Sequence, residues 1–256
     1  YSVSSIFRPE QVFFKWYGRC YGKVLNCFTH FFVQNEESKK LLSSIGIDCV
    51  TVSGDTRFDR VLGVNKASKA LPIVESFVGD KRAFVAGSSW LPDEEIFIKY
   101  FNEHKDWKLV IAPHVIDESH LTQILALLDR KTVRYTQTTP EEAAGADCLI
   151  IDCYGLLSSI YRYGDVSYVG GGFGVGIHNV LEAAVWHMPV FFGPNNKHFQ
   201  EAQWLLQSKG GIEIMSFDDF KIQMDRFIAA PGLIRERGNA AAKVVEEHTG
   251  ATKRVM

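Results

Sequence analysis

DVSYVGGGFGVGIHNVLEAAVWHMPVFFGP, residues 165–194, is the stretch whose reading decides the fold. It falls into three pieces. Residues 166–169 form a short apolar run with strand character. Five glycines follow between Gly170 and Gly176, and residues 179–187 then carry a helical apolar pattern. Pro189 stops that helix, and a second apolar run at 190–192 ends in Gly193-Pro194. A strand, a glycine-rich loop, a helix start and another strand make one α/β crossover. Glycine permits positive φ and close approach of a ligand to the backbone. Free N–H groups at a helix start present partial positive charge. The stretch is therefore expected to hold a phosphate or another anion.

Outward from this unit the same alternation continues. Strands are expected at 83–86, 108–112, 133–135, 148–151, 166–169, 190–192 and 212–214. Helices are expected at 93–104, 118–129, 156–163, 179–187, 199–208 and 217–229, with a final, mostly polar helix at 232–248. Alternation of this length predicts an α/β fold with a parallel, doubly wound sheet. Before it, 31–34, 36–44 and 50–53 read as strand, helix and strand, too few for a domain and suited to the last part of one. The pattern weakens over 63–82, which contains Leu71-Pro72 and Gly79, so the boundary is placed there, giving 1–62 and 63–256. Residues 10–28 read as one helix on which Lys15, Arg19 and Lys23 form a basic stripe beside Phe13, Trp16, Tyr17, Tyr21 and Val24. A packed helix with a solvated edge accounts for this. So does a surface leaning on an anionic membrane with its rings at headgroup depth.

At 256 residues, with 46% hydrophobic and 23% charged residues, the chain has the composition of a globular protein. A net charge of -2 gives no sign of nucleic-acid binding. No apolar run approaches a membrane span. The five cysteines, Cys20, Cys27, Cys49, Cys148 and Cys153, show no CxxC pair and are expected to be buried free thiols in a reducing compartment. The opening residues resemble neither a signal peptide nor a natural start, and the chain is expected to be part of a longer protein.

In a doubly wound sheet, ligands bind at the carboxyl ends of the strands. Four loops there carry candidate residues. Gly87-Ser88-Ser89-Trp90 precedes Pro92 and Asp93-Glu94-Glu95. Capping accounts for the acids, and the small turn is equally suited to hold a phosphate or a sugar carboxylate. Pro113-His114 follows the second strand. Asp152-Cys153-Tyr154-Gly155 offers backbone groups to a nucleobase. In the opening stretch, His178 and Asn179 stand at the helix start with Glu182 three residues beyond Asn179. The arrangement resembles a capping box, with Asn179 as the cap, and an acid in the first turn also suits a ribose diol. Gly193-Pro194-Asn195-Asn196, leading to Phe199 and Glu201, forms a second lip. The glycines fit GxGxxG in no register, and GxxxxGK[ST], DxD, HExxH and GxSxG are all missing. The site therefore reads as metal-free, with no cofactor, its charge handled by backbone, side-chain donors and a helix dipole.

GGGFGVGIHNVLEAA (170–184), MPVFFGP (188–194) and FQE (199–201) resemble the donor-site segment of 3-deoxy-D-manno-octulosonic acid (Kdo) transferases. FVQNEE (32–37) and VSGDTRFD (52–59) resemble that family's junction between two domains. The resemblance implies a GT-B arrangement of two Rossmann-like domains and metal-free, inverting transfer of Kdo from CMP-Kdo to lipid A precursor at the cytoplasmic face of a bacterial inner membrane. It implies that 1–62 is the tail of the acceptor domain and 63–256 the donor domain. Gly171, Gly172 and Gly174 would cradle the phosphate, Asn179 and Glu182 the ribose side of CMP, and Gly193, Pro194 and Glu201 the second loop, with Gly87, Ser88, Pro113, His114 and His178 around them. No catalytic residue is assigned, because the family's general base, a Glu, is expected upstream of Tyr1; such a chain would bind CMP without transferring sugar. Two departures stand out. The family commonly has Pro-Arg-His where this chain has Pro113-His114, and a His where Trp90 stands. Either the chain is a divergent branch or neighbouring cations, Lys197 or His178, take over. The alternatives are another GT-B nucleotide-sugar transferase or epimerase, and a non-catalytic nucleotide-binding module.

Overall fold

The computed structural model describes residues 1–256, except for the side chain of Arg19. The chain divides into two compact units, Tyr1–Gly63 with Glu246–Met256, and Val64–Val245.

The first unit is a three-stranded parallel sheet, β1 (Ser2–Ser5), β2 (Phe31–Val33) and β3 (Val50–Val52), in the order β1-β2-β3. The first strand is not apparent from its polar sequence; it pairs with β2 at an edge. Asn35 caps the helix Glu36–Ser43, its side chain accepting from the Ser38 N–H at 2.9 Å. The expected helix over 10–28 does not form. Short 3₁₀ turns surround a single helical turn, Arg19–Gly22. Gly18 explains the break: a Cβ there would meet the Val12 carbonyl, so the chain folds back on itself instead of running on as a rod. The basic stripe of one helix is thereby lost, and the Arg19 side chain lies outside the described residues. Trp16, Tyr17, Tyr21 and Val24 are exposed.

The second unit contains seven strands: β4 (Ala83–Ser89), β5 (Lys108–Pro113), β6 (Thr132–Arg134), β7 (Cys148–Ile150), β8 (Val166–Val169), β9 (Val190–Phe192) and β10 (Gly211–Glu213). All pair in parallel, in the order β10-β9-β8-β4-β5-β7-β6. Strands covered on both faces read as apolar runs, and this is why β4, β5, β8 and β9 are legible in the sequence. One face packs Phe84, Phe97, Phe101, Phe191 and Phe220 into an aromatic cluster; Phe84 and Phe101 lie 4.8 Å apart and Phe84 meets Phe220 edge-on at 5.6 Å. Each such ring removed from water contributes about 1.5–3 kcal/mol.

The weak pattern at 63–82 hides two helices, the end of Thr56–Lys66 and Pro72–Val78, the latter opened by its proline and buried through Val74, Phe77 and Val78. The helix expected at 179–187 shrinks to Leu181–Ala184. After it, His187 takes a left-handed φ of 58° and turns the chain into Met188-Pro189. The cysteines also differ from expectation. Cys148 is buried, Cys153 is half-buried, and Cys20, Cys27 and Cys49 are exposed, two of them in the segment that is not a packed helix. Among the described residues no helix is long and apolar enough to cross a membrane.

Candidate functional site

The strand order itself locates the site. From β4 the chain builds outward through β5 to β7 and β6, then returns to place β8 on the other side of β4 and continues to β9 and β10. Adjacent strands whose connections leave in opposite directions open a crevice at their carboxyl ends. Here those strands are β4 and β8, in register at Gly87 and Val169. β4 ends in Gly87-Ser88-Ser89, with Trp90 just beyond it, and β8 leads into the glycine stretch. Sequence and topology choose the same place.

The glycine loop is a compact turn held by its own backbone. The Gly174 and Gly176 N–H groups donate to the Gly171 carbonyl at 3.0 and 3.2 Å, and the His178 N–H donates to Gly170 O at 3.0 Å. Gly171 has φ of 92° and Gly176 of 142°, conformations that an L side chain resists. Gly172 is needed for another reason: its Cβ would lie 2.6 Å from the Gly193 backbone, so the two lips touch main chain to main chain. Asn195 fastens them, its N–H donating to Gly172 O at 2.9 Å and its side-chain amide to Gly174 O at 2.8 Å. The N–H groups of Gly172, Phe173 and Val175 make no hydrogen bond within the described chain. They are the donors this loop has left for a ligand. Gly171 is a correction in this respect. Its N–H is taken at 3.0 Å by the Asp93 carboxylate.

Asp93 is the residue that sequence reasoning missed. Read as a capping acid, it does cap, accepting from the Trp90 N–H at 2.9 Å. It also accepts from Gly171 N–H and, at 2.7 Å, from the Tyr168 hydroxyl. One buried carboxylate thus ties the loop after β4 to the strand and loop of the glycine unit. Together Trp90, Pro92, Asp93, Gly171, Phe173, Gly174 and Val175 line a cavity of about 220 Å³.

Behind Trp90, Ser89 donates to Glu94 at 2.8 Å, and His120 meets the other Glu94 oxygen at 2.8 Å. Burial pushes the Glu94 carboxyl above its ordinary range, against the pull of the His120 and Ser89 hydrogen bonds. His120 in turn bonds the Val115 carbonyl, and the His114 N–H donates to Ser89 O at 2.9 Å, so the loops after β4 and β5 are locked together. This brings His114 to the crevice. Its ring stacks on Trp90, with centroids 4.8 Å apart, and on His178 at 4.2 Å. The Trp90 indole N–H donates to His178 Nε2 at 3.2 Å. Burial, then the neighbouring His114, holds the His178 pKa below the usual imidazole value, with Asp93 pulling the other way.

The remaining candidates are less central. Asn179 and Glu182 do not make the expected capping box: the Asn179 amide donates to Glu182 Oε1 at 3.0 Å, side chain to side chain, while Asn179 Oδ1 accepts from Leu181 N–H. Burial, then Glu182, pushes the Tyr161 hydroxyl pKa up, and the same hydroxyl crowds Gly87, where a Cβ would strike it. Ser88, near the end of β4 where the pairing register with β5 shifts, adopts φ of 52°. Glu201 is buried in the helix Gln200–Ser208. Asp152 accepts from Thr136 N–H and hydroxyl at 2.8 and 2.6 Å, which ties the segment after β7 to the one after β6. The helix of a single turn has little dipole to offer, so the charge of a ligand falls to individual donors.

A parallel, doubly wound sheet with a glycine cradle at its switch point is the architecture of a GT-B glycosyltransferase domain, and the second unit has it. The chain superposes on the crystal structure of the C-terminal CMP-Kdo binding domain of WaaA from Acinetobacter baumannii with a TM-score of 0.59, over 73% of this chain and 97% of that one, at 18% identity. In sequence the chain is similar to the 3-deoxy-D-manno-octulosonic acid transferase of Rickettsia bellii, 27% identical over 224 residues, 84% of this chain and 52% of that protein. It is 25% identical to the transferase of the same name from Aquifex aeolicus over 189 residues, 71% of this chain and 49% of that one. The chain spans about half the length of the curated relatives it matches. No protein-family model matches it. The likeness to Kdo transferases thus extends over most of the chain.

Proposed function

We propose that this chain binds the nucleotide-activated sugar of a glycosyltransferase, and that the whole protein transfers Kdo from CMP-Kdo to a lipid A precursor. The observation that carries the reading is the glycine loop at the β4–β8 crevice, with the Gly172, Phe173 and Val175 N–H groups unpaired. The similar domain of WaaA is a CMP-Kdo binding domain, and this supports the choice of nucleotide. In the proposed step the phosphate of CMP leaves with the electrons of the glycosidic bond. Fixed N–H donors already aimed at the phosphate stabilise that charge without reorganising.

Donor binding is assigned to this chain, with Asn179 and Glu182 on the ribose side and Gly193, Pro194 and Glu201 around the second loop. Activation of the acceptor hydroxyl is assigned to the rest of the protein, so this chain is expected to bind CMP without transferring sugar. Metal-independent transfer belongs to the same proposal, and the full-length protein should keep its activity in a chelator. The exposed Trp16, Tyr17 and Tyr21 beside Lys15 and Lys23 support peripheral contact with the anionic cytoplasmic face of an inner membrane. Sedimentation with anionic vesicles tests this; binding that survives replacement of both lysines ends the idea. The donor assignment is tested by calorimetry with CMP, UDP and GDP. CMP should bind most tightly, and absence of a CMP preference would overturn the assignment in favour of another GT-B nucleotide-sugar protein.

A further inference from the structure

The three rings at the crevice come from three separate loops: Trp90 after β4, His114 after β5 and His178 after β8. An indole N–H is only ever a donor, so the His178 Nε2 that receives it must present a lone pair. The proton of the neutral ring then sits on Nδ1, which makes no hydrogen bond within the described chain. Protonating Nε2 would set two N–H groups against each other and place a cation face to face with the His114 ring, 4.2 Å away. The groups that face His178 from neighbouring elements are His114 and Asp93; Glu182, on its own segment, is occupied with Asn179. Gly171 completes the enclosure, since a Cβ there would press on the His178 ring at 3.1–3.3 Å.

We propose that Trp90 is a positioning residue that fixes His178 as a neutral Nδ1–H donor to an oxygen acceptor of the bound nucleotide. His178 therefore does not replace a missing cation. Where an ionic contact would be expected at this crevice, the chain makes a neutral hydrogen bond. The inference rests on the donor-site reading for its ligand, while the tautomer stands on the geometry alone.

The test uses the whole 256-residue chain. Nitrogen-15 NMR of its histidines should show His178 protonated on Nδ1 and bare on Nε2 near neutral pH. A cytidine phosphodiester is the binding probe, because its charge does not change in the range where histidine titrates, around pH 6.5. Wild type should bind it with an affinity that is flat down to about pH 6, below the ordinary imidazole value. Trp90→Phe keeps a ring and removes the indole donor, so His178 becomes free to ionise and affinity should rise several-fold as pH falls; adding His178→Gln should abolish that rise. His178→Phe should weaken binding about tenfold, the effect of one neutral hydrogen bond left unmade, and His178→Gln, a neutral donor, should restore most of it. An Nε2–H tautomer, or equal pH profiles for wild type and Trp90→Phe, would overturn the inference. Preference for a uridine or guanosine diester would instead overturn the CMP assignment and leave the tautomer in place.

Discussion

Asp93 shows how much one side chain can hold. Its carboxylate accepts from Trp90 N–H, Gly171 N–H and the Tyr168 hydroxyl. Removing it strands two buried donors, the Gly171 N–H and the Tyr168 hydroxyl, each costing about 1–3 kcal/mol when unpaired, and one part-buried donor, the Trp90 N–H. Asp93→Ala should therefore lower unfolding stability by at least about 2 kcal/mol, read as a lower denaturation midpoint in urea. Gly172→Ala acts through space instead: its Cβ meets Gly193 backbone at 2.6 Å, so the lips must part. Nucleotide affinity should fall further than stability does, and a variant that binds normally would show that the close approach of the lips is irrelevant to the ligand. Glu182→Ala should weaken nucleotide binding in calorimetry; unchanged affinity would reduce Glu182 to a partner for Asn179. Thiol chemistry gives a check on packing. Burial pushes Cys148 up to about 12, so a neutral-pH thiol reagent should label Cys20, Cys27 and Cys49 and spare Cys148 until the chain unfolds.

Among the elements, the last short helix, Ala251–Val255, depends on a residue far from it in sequence. Asp59 accepts from Gly250 N–H at 2.7 Å and from the Thr252 N–H and hydroxyl at 2.8 and 3.0 Å. Burial by itself raises the Asp59 pKa, but the hydrogen bonds from Thr252, Gly250 and Ala251 outweigh it, and the carboxyl lies below its usual value. A carboxyl depressed in the folded state stabilises above its unfolded pKa, near 3.9, and that contribution is lost as pH falls through the folded value. Amide protection at 250–255, taken relative to the unstructured-chain rate at each pH, should be high at neutral pH and fall below that range. Asp59→Asn should lower that protection at neutral pH and remove its pH dependence. The glycine unit carries the contrasting lesson. Its strands β8 and β9 and its loop are legible because apolar runs and clustered glycines are local signals. The helix between them is not, because its length is set by the left-handed turn at His187 and by packing, neither of which a periodicity reports.

On the scale of the molecule, the tail and the first sixty-three residues belong to one unit, with Arg254 donating to the Ser53 carbonyl at 2.8 Å. Deleting 249–256 should lower the stability of that unit and leave nucleotide binding by Val64–Val245 intact. Loss of binding would show that the tail supports the site. The sequence by itself determined the alternation, the parallel sheet, the glycine cradle and the likeness to Kdo transferases, because buried strands, glycine turns and family motifs are written in neighbouring residues. Tertiary structure alone decided which strands flank the crevice and which glycine N–H is already spent on Asp93. It also brought Trp90, His114 and His178 into one stack. Those facts join residues up to eighty-eight positions apart. Pairing across such distances follows from strand order and backbone register, which no local stretch of sequence encodes.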